Sequence, residues 1–86
     1  MERYDLLIKP SVARDLRGIP REDVPGILQR IHDLPADPRP PGVEKLSAQE
    51  RYRVRQGDYR IIYSVDDRAH LVEVVQVGHR RDVYRR

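Results

Sequence analysis

The stretch that decides the fold reads Arg51-Tyr-Arg-Val-Arg-Gln-Gly-Asp-Tyr-Arg-Ile-Ile-Tyr-Ser-Val65. Its side chains alternate with the two-residue period of a β-strand, and the alternation breaks at Gly57-Asp58, a dipeptide that favours a tight hairpin turn. A two-residue turn here sets Arg55 opposite Arg60, and the neighbouring pairs follow in step. One face of the hairpin then collects apolar and aromatic side chains, namely Tyr52, Val54, Tyr59, Ile61 and Tyr63. The other face collects arginines, namely Arg51, Arg53, Arg55 and Arg60.

The arginine side of this predicted hairpin carries a functional hint. Like charges that face each other across a sheet are destabilising. A chain that nevertheless sets Arg55 across from Arg60, with Arg53 beside them, is expected to receive an anion there. The alternative is a solvated outer face whose arginines serve only solubility.

Length and composition favour one small domain. The chain has 86 residues, and a hydrophobic share of 38% against a charged share of 36% allows a single core of one sheet with helices on one face. There is no cysteine, so no disulfide framework or thiolate metal site is expected. The amino terminus lacks a signal-peptide pattern, and no segment reaches the length of a membrane span. We expect a cytoplasmic protein with no membrane partner.

The positive charge is concentrated in the second part of the chain. Residues 1–50 carry eight basic and nine acidic side chains, a net charge of −1, whereas residues 51–86 carry nine against five, a net charge of +4. The surplus lies in the hairpin and in the last eight residues, where arginine alternates with tyrosine. That pattern suits a phosphate backbone with bases that stack.

The segment before the hairpin predicts a strand and two helices. Residues 4–9 form the strand, and a short helix follows with Ser11 as its N-cap and Gly18 at its end. A second helix covers about 21–34. Because proline is tolerated only in the first turn of a helix, Pro25 requires either an N-cap at Asp23 or a kink at the start.

Residues 35–42 are rich in proline and predict an extended connector, and residues 70–78 predict a buried central strand. The expected fold class is α+β: a small antiparallel sheet, in which a mixed edge is allowed, with an α-helical hairpin on one face, in the order β-α-α-β-β-β.

Few residues of the sequence are suited to metal binding or catalysis. No histidine pair has metal-ligand spacing, so we expect no metal and no cofactor. RNA cleavage without metal needs a base for the 2′-hydroxyl, cations for the phosphate and an acid for the leaving oxygen. Arginine suits the phosphate, and His79 is the group near the cluster suited to carry a proton at neutral pH. A plain surface role for His79 is the alternative.

Five segments together resemble the RelE toxins of the RelE/ParE superfamily. They are Asp37-Pro-Arg-Pro-Pro-Gly42, Lys45-Leu46, Tyr52-Arg-Val-Arg55, Gly57-Asp-Tyr-Arg-Ile-Ile-Tyr63 and Val77-Gly-His-Arg-Arg-Asp-Val-Tyr84. The resemblance implies a single toxin domain over residues 1–86 and a toxin of a type II toxin–antitoxin system. It implies ribosome-dependent cleavage of messenger RNA in the A site, through a 2′,3′-cyclic phosphate and without metal. The implied partners are a cognate antitoxin, in a heteromeric complex, together with the ribosome and mRNA.

The resemblance also implies the site residues. The catalytic positions match Arg53, Arg55, Arg60, Arg80 and Tyr84, with His79 added from the reasoning above. Further RNA contacts are expected from Lys45, Arg51, Arg81 and Arg85. We expect alanine at Arg60 or Arg80 to leave the fold intact, since both belong to a polar face.

One departure from the family affects the mechanism. In well-known members the hairpin pair is lysine, and one lysine is assigned as the general base. Arg55 does not readily lose a proton. Either His79 or Tyr84 takes that role, or the arginines act only electrostatically.

Two other functions remain open at this stage. The ParE branch shares the fold but inhibits DNA gyrase, and its members usually lack the basic tail with tyrosine. A non-catalytic RNA-binding module would keep the arginines and need no proton donor.

Overall fold

The structure is a computed structural model that describes residues 3–46 and 50–79. Its helices and strands follow in the order β1 (Asp5–Ile8), α1 (Pro10–Arg17), a 3₁₀ turn (Arg21–Asp23), α2 (Val24–Asp33), β2 (Glu44–Lys45), β3 (Arg51–Gln56), β4 (Tyr59–Asp66) and β5 (Leu71–His79). The α+β prediction is confirmed. The short strand β2 is an addition to the predicted order.

The five strands form one mixed sheet in the order β1-β5-β4-β3-β2. The neighbours β2–β3, β3–β4 and β4–β5 are antiparallel, whereas β1 runs parallel to β5. The sheet therefore has the mixed edge that the prediction allowed, with β1 as its parallel edge strand. β5 lies between β1 and β4, and Val72, Val74 and Val77 are buried along it, as expected for a central strand.

Both helices cover the same face of the sheet. α1 packs on β5, and α2 packs across β3 and β4. The core between the layers is mostly aliphatic and includes Val12 and Ile27 from the helices, together with the stacked pair Tyr52 and Tyr63 from the sheet. The Tyr63 hydroxyl, at the end of a fully buried side chain, donates a 2.7 Å hydrogen bond to the Pro38 carbonyl. That bond holds the proline-rich connector against the core.

The helix starts differ in detail from the predictions. α1 begins at Pro10 with Lys9 in the N-cap position, so the prediction of Ser11 as N-cap was wrong. Proline is already preorganised for the first helical position and needs no amide hydrogen there, so the helix starts two residues earlier than predicted. Asp23 stands in the N-cap position of α2, which is one of the two predicted solutions for Pro25.

No helix within the described residues is long and apolar enough to cross a bilayer. The same residues contain no group of three or more His, Asp or Glu side chains arranged to hold a metal ion.

Candidate nucleic-acid interface

The hairpin of β3 and β4 forms with the predicted register. Gly57 has φ +61°, a positive value at the first central position of the turn, where glycine is favoured. Arg55 pairs with Arg60, and Arg53 pairs with Ile62. The side chains of Arg51, Arg53, Arg55 and Arg60 therefore belong to the face of the sheet opposite the helices. We call these four residues the arginine face.

Arg60 is the buried member of this face. Only 7% of the residue is exposed, and its Nη1 donates a 3.2 Å hydrogen bond to the Tyr59 carbonyl. On its two sides stand Arg55 of β3 and Gly78 of β5. The expectation that alanine at Arg60 leaves the fold intact is therefore corrected, because alanine would remove a buried side chain and its hydrogen bond to the Tyr59 carbonyl.

Arg53 is held by a carboxylate from the neighbouring strand. Its Nη2 and Nε donate hydrogen bonds of 2.9 and 3.2 Å to Glu44 Oε1. The Arg53 side chain is 15% exposed and that of Glu44 61%. Since this ion pair offsets one positive charge, the exposed Arg51 and Arg55 are the more accessible cations of the arginine face.

His79 lies on the opposite face of the same strands. It pairs with Tyr59, and the two rings meet edge to face at 5.9 Å and 89°. The Tyr59 hydroxyl donates a 3.3 Å hydrogen bond to Asp23 Oδ2 on the helical side. The structure thus brings His79 to the end of the sheet where Arg60 stands, but places its ring on the side of the helices.

Lys45 also falls on the helical side, because it pairs with Tyr52 rather than with an arginine of the arginine face. Its Nζ lies 3.8 Å from Glu50 Oε1. The other predicted site residues, Arg80, Arg81, Tyr84 and Arg85, lie outside the described residues. Gly78 pairs with Arg60, so the described part of β5 ends beside the start of β4, as the sequence predicted.

The sequence reasoning missed a polar network at the other end of the sheet. Arg39, in the connector, donates hydrogen bonds of 3.2 and 2.9 Å to the two carboxylate oxygens of Asp67. Its Nε donates a 2.9 Å bond to the Tyr52 hydroxyl, and the Tyr4 hydroxyl donates a 2.6 Å bond to Asp67. The Arg39 and Tyr4 hydrogen bonds hold the pKa of Asp67 below its usual range. Arg39 and Asp67 are too far apart in sequence for any local pattern to have predicted this pair.

This network joins the connector, the start of β3 and the turn between β4 and β5. Its charges are mutually satisfied, and it lies at the end of the sheet opposite the Gly57 turn. We therefore assign it to the stability of the fold, and the arginine face remains the candidate interface.

A family model of the "ParE toxin of type II toxin–antitoxin system" matches residues 6–84. The chain belongs to the RelE/ParE superfamily of type II toxins. Toxin RelE of Mycobacterium tuberculosis is 30% identical to this toxin over 84 residues, which is 95% of this chain and 87% of that protein. Toxin RelG of the same organism is 28% identical over 85 residues, covering 96% and 98%.

The fold of the toxin matches a solved complex as well. The toxin–antitoxin complex RelBE2 of Mycobacterium tuberculosis contains a chain that superposes with a TM-score of 0.78 at 25% identity. The match covers 91% of this toxin and 99% of that chain. The resemblance expected from the sequence motifs is thereby confirmed for both family and fold.

Proposed function

We propose that residues 1–86 act as one toxin domain and that the toxin is an endoribonuclease that cleaves ribosome-bound messenger RNA in the A site. The observation that carries this proposal is the arginine face, on which Arg55 stands opposite a buried Arg60. Like charges directly opposite each other in a sheet are destabilising, and a bound anion would relieve the repulsion between these two residues. A phosphodiester is such an anion, and the planar guanidinium fork binds it in two places.

The proposed reaction is an attack of the 2′-oxygen on the adjacent phosphorus. The bond from phosphorus to the 5′-oxygen breaks, which leaves a 2′,3′-cyclic phosphate and a free 5′-hydroxyl. A base accepts the 2′-hydroxyl proton, and an acid returns a proton to the leaving 5′-oxygen. Arg55 and Arg60 stabilise the charge that builds on the phosphate oxygens, which is the electrostatic part of catalysis.

Elimination narrows the choice of general base but leaves more than one candidate. Arg53 and Arg55 do not lose a proton in proteins. His79 remains a candidate, although its ring lies on the helical side of the sheet. The ring would reach an RNA strand bound on the arginine face only around the end of β5. Tyr84 is the second candidate, and electrostatic catalysis by the arginines alone is the third.

A cognate antitoxin is the proposed protein partner. The solved RelBE2 structure to which the toxin is similar is a toxin–antitoxin complex. Residues 51–86 hold a net charge of +4. An acidic antitoxin segment that orders on binding would cover the arginine face, and its affinity would fall as salt increases.

Two rival functions need a discriminating experiment. The matching family model is described as a ParE toxin, which favours the gyrase-inhibitor branch, whereas both curated relatives are named as RelE-type toxins. A non-catalytic RNA-binding module would use the same arginine face. The purified toxin should therefore be added to translating ribosomes, with mRNA cuts mapped, and separately to DNA gyrase.

We expect codon-positioned mRNA cuts and no gyrase-dependent DNA damage. Arg55→Ala and Arg60→Met should each slow cleavage by roughly 10²–10³, because each removes a cation aimed at the transition state. Methionine is used at Arg60 because it keeps an unbranched stem in a buried position. Arg21→Ala, which removes an exposed cation in the 3₁₀ turn, should cleave at the wild-type rate. DNA damage without mRNA cuts would support the gyrase branch, and RNA binding without cuts would support the module.

A further inference from the structure

A groove of about 390 Å³ lies beside the arginine face, between the start of α1 and the middle of β5. Its walls include Lys9 and Arg14 from the side of α1 and Arg51 from β3. All three cations are exposed. The groove is thus open to solvent and surrounded by positive charge.

Among the described residues, Asp15 supplies the one carboxylate in the wall of this groove, and that carboxylate already accepts a hydrogen bond. Asp15 Oδ2 accepts a 3.1 Å hydrogen bond from the Val77 backbone amide. Three cations therefore face a single carboxylate that points toward backbone. This charge balance fits a ligand with at least one phosphate.

The floor of the groove continues the arginine face. Ile62 lines the groove, and it is buried to 6% exposure although it lies outside the core cluster between sheet and helices. It pairs with Arg53 and is two residues from Arg60 on the same face of β4. Two residues of a strand advance about 7 Å, which is comparable with one nucleotide of extended chain. An RNA strand on the arginine face would therefore reach the groove with its next nucleotide.

Within the part of the chain that the structure describes, the one side-chain amide in the wall stands next to a β-bulge. Tyr63 pairs with Val74 and Ile62 pairs with Gln76, so Val75 is an extra residue in β5. A bulge re-aims the side chains beside it, and bulges are common next to functional sites. Gln76 is half-buried and lines the groove. Its amide has an NH2 group that donates hydrogen bonds and an oxygen that accepts them, so it can pair with the hydrogen-bonding edge of a base.

We propose that this groove binds the nucleotide adjacent to the cleaved phosphate and that Gln76 reads its base. Lys9, Arg14 and Arg51 hold the phosphate of that nucleotide, and Ile62 supports the flat base from below. Gln76 then contributes to the choice of codon. The inference rests on the proposed ribonuclease function and adds its specificity-determining residue.

RNA fits this groove better than an acidic segment of an antitoxin. An acidic peptide would use the cations alone, whereas an apolar floor with one amide beside it matches a planar, hydrogen-bonding base. The groove is also continuous with the face on which the scissile phosphate is placed. These features favour one nucleotide of the message as the occupant.

The test is a map of cleavage positions on ribosome-bound messages that differ in one codon position. In Gln76→Leu, which keeps the size of the side chain but cannot hydrogen-bond, the ratio of kcat/KM between the best and worst base should shrink about tenfold. In Gln76→Glu, which only accepts hydrogen bonds, the preferred base should change. In Lys9→Ala/Arg14→Ala, KM should rise for every codon alike and the salt dependence should flatten. Arg21→Ala is the control for loss of a cation elsewhere.

The outcomes separate this inference from the function on which it rests. If the wild-type toxin cuts messages and both Gln76 variants keep its codon profile, the inference fails while the ribonuclease stands. If the wild type cuts nothing, the ribonuclease proposal fails, and the nucleotide site fails with it. If the groove variants weaken binding of the cognate antitoxin and leave KM and the codon profile unchanged, the groove is an antitoxin site and the inference is overturned.

Discussion

Asp15 of α1 accepts a hydrogen bond from the backbone amide of Val77 in β5, with 3.1 Å between Oδ2 and nitrogen. The bond lies where β5 loses its parallel neighbour, since β1 pairs with β5 only as far as Val74. An unpaired strand edge exposes amide groups that invite other strands. The side chain of Asp15 takes the place of the missing strand at this amide.

We expect Asp15→Ala to lower the free energy of unfolding by about 1–2 kcal/mol, because a hydrogen bond from backbone to a charged group is lost. Asp15→Asn keeps an oxygen acceptor and should lose less. Denaturant unfolding of both variants measures the difference. Hydrogen exchange at the Val77 amide should accelerate in Asp15→Ala, and equal protection in wild type and variant would contradict the assigned bond.

The hairpin turn should depend on the backbone of Gly57. A Cβ at this position would meet nothing within 4 Å, so any cost of substitution comes from φ +61° alone. Gly57→Ala should destabilise by about 1–2 kcal/mol. Gly57→Asn should cost less, since asparagine tolerates this region. Gly18→Ala is the matched control, because Gly18 has φ −85° and its added Cβ would make ordinary contact at 3.6 Å.

Acid should weaken the toxin through Asp67. The hydrogen bonds from Arg39 and Tyr4 lower the pKa of Asp67 in the folded state, whereas an unfolded aspartate titrates near ~3.9. A lowered folded pKa stabilises the fold above the unfolded value, and the stabilisation is lost as pH falls through the folded value. Tm of the wild type should therefore exceed that of Asp67→Asn at pH 7, and the gap should narrow as pH drops below ~4. A gap that stays constant down to pH ~2 would exclude Asp67 as the titrating group.

The role of His79 can be separated from its packing. If His79 transfers a proton, His79→Gln should slow single-turnover cleavage on ribosomes by roughly 10²-fold or more. Because the ring packs edge to face on Tyr59, the melting temperature of the same variant is measured as the control for structure. His32→Gln, an exposed position at the end of α2, should leave the rate unchanged. If a folded His79→Gln toxin cleaves at the wild-type rate, His79 is not the base, and either Tyr84 takes that role or the arginines act only electrostatically.

Local patterns in the sequence predicted the hairpin and its arginines. The alternation through residues 51–65 allows only one pairing of β3 with β4 that buries the apolar face of the hairpin. Glycine at position 57 supplies the positive φ that the turn requires. The motifs beside it predicted the toxin family, which the comparisons confirmed. The roles of individual site residues remain predictions.

Other features depended on contacts between distant parts of the chain. The run Val74-Val75-Gln76-Val77 has no strict alternation, so the sequence could not show that Val75 is the extra residue of a bulge. The side of the sheet taken by His79 follows from that bulge. The Arg39–Asp67 pair likewise exists only because the connector folds back onto the turn after β4.

The sequence by itself determined which residues alternate, where the chain turns and that four arginines share one face, because strand periodicity and glycine conformation are local properties. Only the tertiary structure decided that β1 lies parallel to β5, that Arg60 is buried and that Gln76 enters a cationic groove beside the arginine face. Those outcomes depend on which strands pack together and on how helices cover a free edge. Packing of that kind is a property of the whole chain and leaves no signature within a short stretch of residues.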